Sequence, residues 1–122
     1  MLNKEAVAGY LGASGQALID LDDNKVGWED FVGTLLVYVA EVLMAVTVGD
    51  DLPPFPDALR AGTTDKIGGA ARASLKVANA MLGFARFQVS GKAAIVIKYA
   101  NQALTNLLDG SPVPPAPAAL LK

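Results

Sequence analysis

The sequence predicts an all-α fold on three observations. Long stretches carry apolar residues at helical spacing, no stretch alternates apolar and polar residues convincingly, and capping or breaking residues bound the helical stretches. The chain has 122 residues, the length of one domain. Hydrophobic residues make up 52%, charged residues 18%, and the mean hydropathy is +0.37. A disordered chain has the opposite balance, so a packed core is expected. The expected architecture is a small antiparallel bundle over residues 1–110, with three main helices and a short N-terminal helical segment. A Pro/Ala-rich extended tail over 111–122 completes it.

Asn3 is a candidate N-cap for a first helix from Lys4 to about Leu11. Gly9, Gly12 and Gly15 then recur at intervals of three. An interior glycine costs a helix about 1 kcal/mol relative to alanine, so these predict a break. Ser14 would cap a second short piece ending at Ile19. In an unbroken helix the same glycines would form a small-residue stripe for close packing. They also interrupt any apolar leader, so no secretory signal is expected.

Residues 20–27 form a polar turn, and Trp28-Glu29-Asp30 opens the second helix with acids where the helix dipole favours them. Phe31 to Val48 is the most apolar stretch. Only Thr34, Tyr38, Glu41 and Ala45 line up as a polar or small strip. Pro53, Pro54 and Pro56 exclude a continuing helix, leaving one turn near 57–61. Thr63 or Thr64 is the expected cap of a long helix over 64–89. Its apolar face is Ile67, Ala71, Leu75, Ala78, Leu82, Ala85 and Val89. Ser90-Gly91 marks a break before the last helix, 92–109, which Asp109-Gly110 closes. The tail reads as polyproline II. It is expected to be a disordered end, or an arm that sets Leu120 and Leu121 on a neighbour.

The chain contains neither His nor Cys. That removes the commonest general base, the thiolate nucleophile, disulfides and the two ligands that zinc prefers. No phosphate loop, dinucleotide fingerprint or serine-hydrolase elbow is present. Glu41 stands alone in an apolar helix with no second acid beside it. Catalysis is therefore not expected, and neither is a cofactor, calcium apart.

Asp20, Asp22, Asn24 and the Val26 carbonyl fall at positions 1, 3, 5 and 7 of a calcium loop, and Asp30 adds a carboxylate beyond them. The stretch DDNKVGWEDF resembles the second half of an EF-hand loop entering its exit helix. The resemblance implies a calcium-responsive module with Asp20, Asp22, Asn24 and Asp30 as ligands. It departs from the motif twice. Counted from Asp20, position 12 is Phe31 instead of glutamate and position 6 is Lys25 instead of glycine. Counted back from Asp30 as position 12, positions 1 and 3 are Ile19 and Leu21. Without the resemblance, the stretch is an acidic turn entering a helix.

The net charge of −2 hides a segregation. Residues 1–65 carry three basic and eleven acidic side chains, and residues 66–122 carry seven and one, giving −8 and +6. Such asymmetry points to interaction within or between chains. Arg72, Lys76 or Arg86 are the candidate partners of Glu41, within the chain or across a subunit interface, and Tyr38, Glu41, Arg72, Lys76 and Arg86 are the expected interface residues. Six basic residues spread between Lys66 and Lys98, without an aromatic platform, make nucleic acid an unfavoured partner. Phe31–Val48 sits at the lower edge of membrane-spanning length, contains Glu41 and is flanked by acids. A core helix is favoured over a span. The expected function is a non-enzymatic structural or assembly protein acting as a homo-oligomer, for instance in a small phage or bacterial particle. The Pro-rich arm is a second route to protein partners. An EF-hand-like calcium module and a holin-like membrane-active protein are the alternatives, and a loosely filled bundle holding a small apolar ligand also fits.

Overall fold

The computed structural model describes residues 3–21 and 27–121. Four helices account for the body: α1 (Lys4–Leu21), α2 (Trp28–Val48), α3 (Arg72–Ala85) and α4 (Gly91–Leu108). Short 3-10 turns lie at Asp57–Leu59, Gly69–Ala71 and Ala118–Leu120. There are no strands among the described residues, so the all-α expectation holds.

α1 runs unbroken, contrary to the expected interruption at its glycines. Asn3 Oδ1 accepts the Ala6 N–H at 2.8 Å and caps the helix as expected. The propensity cost of the glycines is offset by what they permit. A Cβ on Gly15 would stand 2.6 Å from the Gly33 carbonyl oxygen, and one on Gly33 would stand 2.7 Å from that of Gly15. The two backbones therefore touch where neither has a side chain. Val7, Ala8 and Leu11 are buried along the same contact.

α2 is the central element, with eleven buried residues from Phe31 to Ala45. Gly49 ends it in the left-handed conformation (φ 78°), and the Asp50 N–H bonds the Ala45 carbonyl at 2.9 Å, a Schellman closure. Gly110 closes α4 in the same way, with Ser111 N–H on the Asn106 carbonyl at 2.8 Å.

The third helix begins at Arg72 instead of 64 and ends at Ala85 instead of 89. Thr63 does not cap a helix. Its hydroxyl accepts the Asp65 N–H at 3.2 Å, and its carbonyl accepts the Val113 N–H at 2.9 Å. Gly68-Gly69 then delays helix entry, because two glycines lose more backbone entropy on ordering than any other pair. Ile67 is buried all the same, from a non-helical segment.

α1 packs on α2 and α3, α4 packs on α2 and α3, and α2 and α3 do not touch. The helices thus form a ring in the order α1, α2, α4, α3. Neighbours run antiparallel. Gly12 faces Ala40 while Gly15 faces Gly33 and Val37. Arg72 reaches Leu108 while Asn79 reaches Asn101 and Thr105. Val46, late in α2, and Ala93, early in α4, line one cleft. α2 and α3 therefore run the same way, and residues 49–71 must travel the length of the bundle to join them.

That crossover and the C-terminal tail cover the α2–α4 side together. The tail is extended as expected, but it packs on its own chain. Val113 N–H bonds the Thr63 carbonyl, and Ala116 N–H bonds the Arg60 carbonyl at 3.3 Å. Leu120, expected on a neighbour or free, is buried here with Val113, Ala116, Phe55 and Leu59. The Phe55 ring meets Tyr38 and Tyr99 edge-on, with centroids 5.5 and 6.0 Å apart.

Candidate interface on the α1–α3 face

Crossover and tail shield one side of the ring and leave the opposite side, between α1 and α3, bare. The outer surface of α3 is apolar there. Ala73, Val77, Ala80 and Phe84 are exposed at spacings of four, three and four, whereas Phe87, just past the helix end, lines a cleft with Val46, Leu52 and Ala93. Phe84 is 60% and Phe87 82% accessible, far more than a bundle interior requires. The core side of the same helix is Leu75, Ala78, Leu82 and Ala85. α3 therefore has two apolar faces, and only one is used within the chain.

α1 repeats the pattern. Ala6, Tyr10, Ala13, Ala17 and Leu21 are exposed at helical spacing, with Leu21 72% accessible. Between the helices lies a groove of about 310 Å³, walled by Tyr10, Ala17, Leu18 and Leu21 from α1 and by Leu75 and Ala78 from α3. Ser14 and Ser74 also line the groove, so apolar and small polar side chains share this side.

The charged residues frame this face. On α1, Glu5 and Asp20 are exposed, and Gln16 Nε2 donates to Asp20 Oδ1 at 3.0 Å. On α3, Lys76 is exposed and Arg72 half-buried, and the helix holds no acid. Arg72 donates its guanidinium to the Leu108 carbonyl at the end of α4, where the helix dipole favours a cation. Arg86 is exposed and lies over the Phe87 ring, 5.3 Å from its centroid.

The expected interface residues divide between the two sides. Arg72, Lys76 and Arg86 belong to α3 or its end. Tyr38 is buried under the crossover, its hydroxyl donating to the Pro53 carbonyl over a long 3.5 Å. Burial, and then the nearby Glu41 carboxylate, raises the Tyr38 pKa above the ordinary value. Tyr99, donating to the Pro114 carbonyl at 3.4 Å, is raised by burial alone. Glu41 is exposed on α2, diagonal to α3 in the ring. Its expected pairing with Arg72, Lys76 or Arg86 inside the chain does not form: the one ion pair among the described residues joins Arg60 and Asp57 at 3.6 Å.

Of the four calcium candidates, Asp22 and Asn24 lie outside the described residues. Asp20 ends α1 and Asp30 sits in the first turn of α2. Among the described residues no three His, Cys, Asp or Glu side chains are grouped to hold a metal ion.

The two stripes escaped the sequence reading because attention went to the strongest face of each segment. The signal was present in the four-three-four spacing of Ala73, Val77, Ala80 and Phe84. No family model matches this sequence, and no curated protein or solved structure is significantly similar to it.

Proposed function

We propose that this protein is a non-enzymatic assembly subunit that works by self-association through its α1–α3 face. The observation that carries the reading is the second apolar face of α3. Val77 and Phe84 are 48% and 60% exposed seven residues apart, a coiled-coil spacing, with Ala73 and Ala80 exposed beside them, on the side of the helix away from its own core. Burying large apolar side chains is worth about 1.5–3 kcal/mol each, so leaving this row in water is costly unless a partner covers it.

The chemistry of the chain supports the non-enzymatic part. His and Cys are absent. The two tyrosines with raised pKa values are buried and bonded to backbone carbonyls, which suits packing more than proton transfer. The test is a Val77→Lys, Phe84→Lys double variant in size-exclusion chromatography. Wild type is expected to elute as an oligomer and the variant as a smaller species with unchanged helical circular dichroism. Identical elution of the two would contradict the reading.

One observation favours a second reading. α2 spans 21 residues, and its most apolar 18-residue window has mean hydropathy 2.1, long and apolar enough to cross a membrane, although 56% of that window is buried inside the bundle. A membrane-active protein would open the ring and expose α2 to lipid. Sedimentation with lipid vesicles separates the readings: co-sedimentation favours the membrane protein, and protein left in the supernatant favours the assembly subunit.

A further inference from the structure

The geometry points to a second copy of this chain as the occupant of the α1–α3 face, in a closed two-fold dimer where each α3 lies on the partner's α1. This rests on the self-association reading above and adds the pairing.

Two faces that each carry one α1 and one α3 can meet in two isologous ways. Either like helices stack on like, or each α3 meets the α1 of the other copy. Charge separates these arrangements. α3 carries Arg72 and Lys76 and no acid, and Arg86 follows immediately. α1 carries Glu5 and Asp20 against the single base Lys4. Stacking α3 on α3 brings together two helices that hold bases and no acid. Stacking α3 on α1 brings opposite charges together, and like-charge juxtaposition is what selects against the other register.

Helical phase places the charges to do this. Glu5, Gln16 and Asp20 run along the edge of α1 that points away from α3, since the groove residues Tyr10, Ala17 and Leu21 mark the other edge. Lys76 lies on the edge of α3 that points away from α1, opposite the groove residues Ser74 and Ala78. A two-fold axis running along the helices, between α1 and α3, carries the Lys76 edge onto the partner's Asp20 edge.

The apolar rows match in the same arrangement. α1 and α3 run antiparallel within one chain, and this axis keeps them antiparallel between chains. Aligned in that sense, Leu21 meets Ala73, Ala17 meets Val77, Ala13 meets Ala80 and Tyr10 meets Phe84 of the other copy. Alanine faces alanine at the middle, so the helices can approach closely there. Each large side chain except the Tyr10–Phe84 pair faces a small one, and that pair sets two aromatic rings together. The α3 row from Ala73 to Phe84 spans about 17 Å at the helical rise per residue, three helical turns of contact.

The cysteine-free sequence makes the pairing directly readable. Ala13→Cys and Ala80→Cys each place one thiol on an exposed position, and circular dichroism checks that both variants remain folded. After mild oxidation, the mixture of the two is expected to give a covalent dimer on a non-reducing gel, while each variant alone gives none. Covalent dimers from Ala80→Cys alone would overturn this pairing while leaving self-association through the face intact. No covalent dimer in any sample, with wild type oligomeric by light scattering, would overturn the pairing and move the contact elsewhere. A monomeric wild type would remove the underlying reading as well. An independent readout uses charge. Lys76→Glu is expected to weaken association severalfold, and mixing it with Asp20→Lys is expected to recover it. Failure of that mixture to recover association would count against the α3-on-α1 arrangement.

Discussion

Gly9 and Gly15 sit six residues apart in α1 and should respond oppositely to the same substitution. Gly15→Ala drives a Cβ to within 2.6 Å of the Gly33 carbonyl, and overpacking of this kind costs about 1–3 kcal/mol. Gly9 has nothing within 4 Å, so Gly9→Ala should stabilise by about 0.5–1 kcal/mol through helix propensity alone. Urea denaturation of the two variants checks both signs; destabilisation of similar size at both positions would refute the close contact. The tyrosines give a second expectation. Tyr38 and Tyr99 have pKa values raised above 10.0, so the folded state holds their protons more tightly than the unfolded state does. Their contribution is fully present below that value and is lost as pH rises through the raised folded values. Stability should therefore fall in alkali, and a Tyr38→Phe, Tyr99→Phe variant should show a flatter alkaline limb in thermal melts. At this scale the sequence was readable where the partner is local. The Asn3 cap bonds three residues along. The glycines left two readings open because the group that decides between them, Gly33, lies on another helix.

Glycine closures at Gly49 and Gly110 end α2 and α4, and the tail shows what the connections contribute. Removing residues 111–122 takes away Val113 and Leu120, each 4% exposed or less, and uncovers Phe55 and Tyr99. A fully buried side chain of this size is worth about 1.5–3 kcal/mol, so the shortened chain should melt well below the full one. An unchanged midpoint would mean that the tail contributes nothing as an internal strap. Arg72→Ala should also destabilise, by about 1–2 kcal/mol, since the guanidinium bonds the last carbonyl of α4. A Leu108 carbonyl satisfied equally by water would leave Arg72→Ala neutral. α2 and α4 were legible to within about one residue because a dense apolar rhythm and a glycine closure mark them. α3 was overextended at both ends. Ile67 and Val89 sit in phase with its core face, yet Thr63 is held by the tail, a contact between segments fifty residues apart that no local pattern encodes.

Over the whole molecule, the distribution of apolar surface and charge has one common account. Crossover and tail pack on the α2–α4 side; Tyr10 and Leu21 on α1 and Val77 and Phe84 on α3 stand exposed next to acids on one helix and bases on the other, while Met44, Val48 and Ile95 stay exposed on α2 and α4. The segregation of −8 and +6 was visible in the sequence, and so was the excess of apolar residues. Which surface they would share was not, because that depends on which side the crossover takes. The central claim is that this bare face is covered by another copy of the chain. Multi-angle light scattering of the purified protein over a range of concentrations tests it most directly. The account predicts a mass of twice 12.6 kDa, falling toward the monomer on dilution or at high salt as the flanking charges are screened. A mass of 12.6 kDa at every concentration and salt would contradict it.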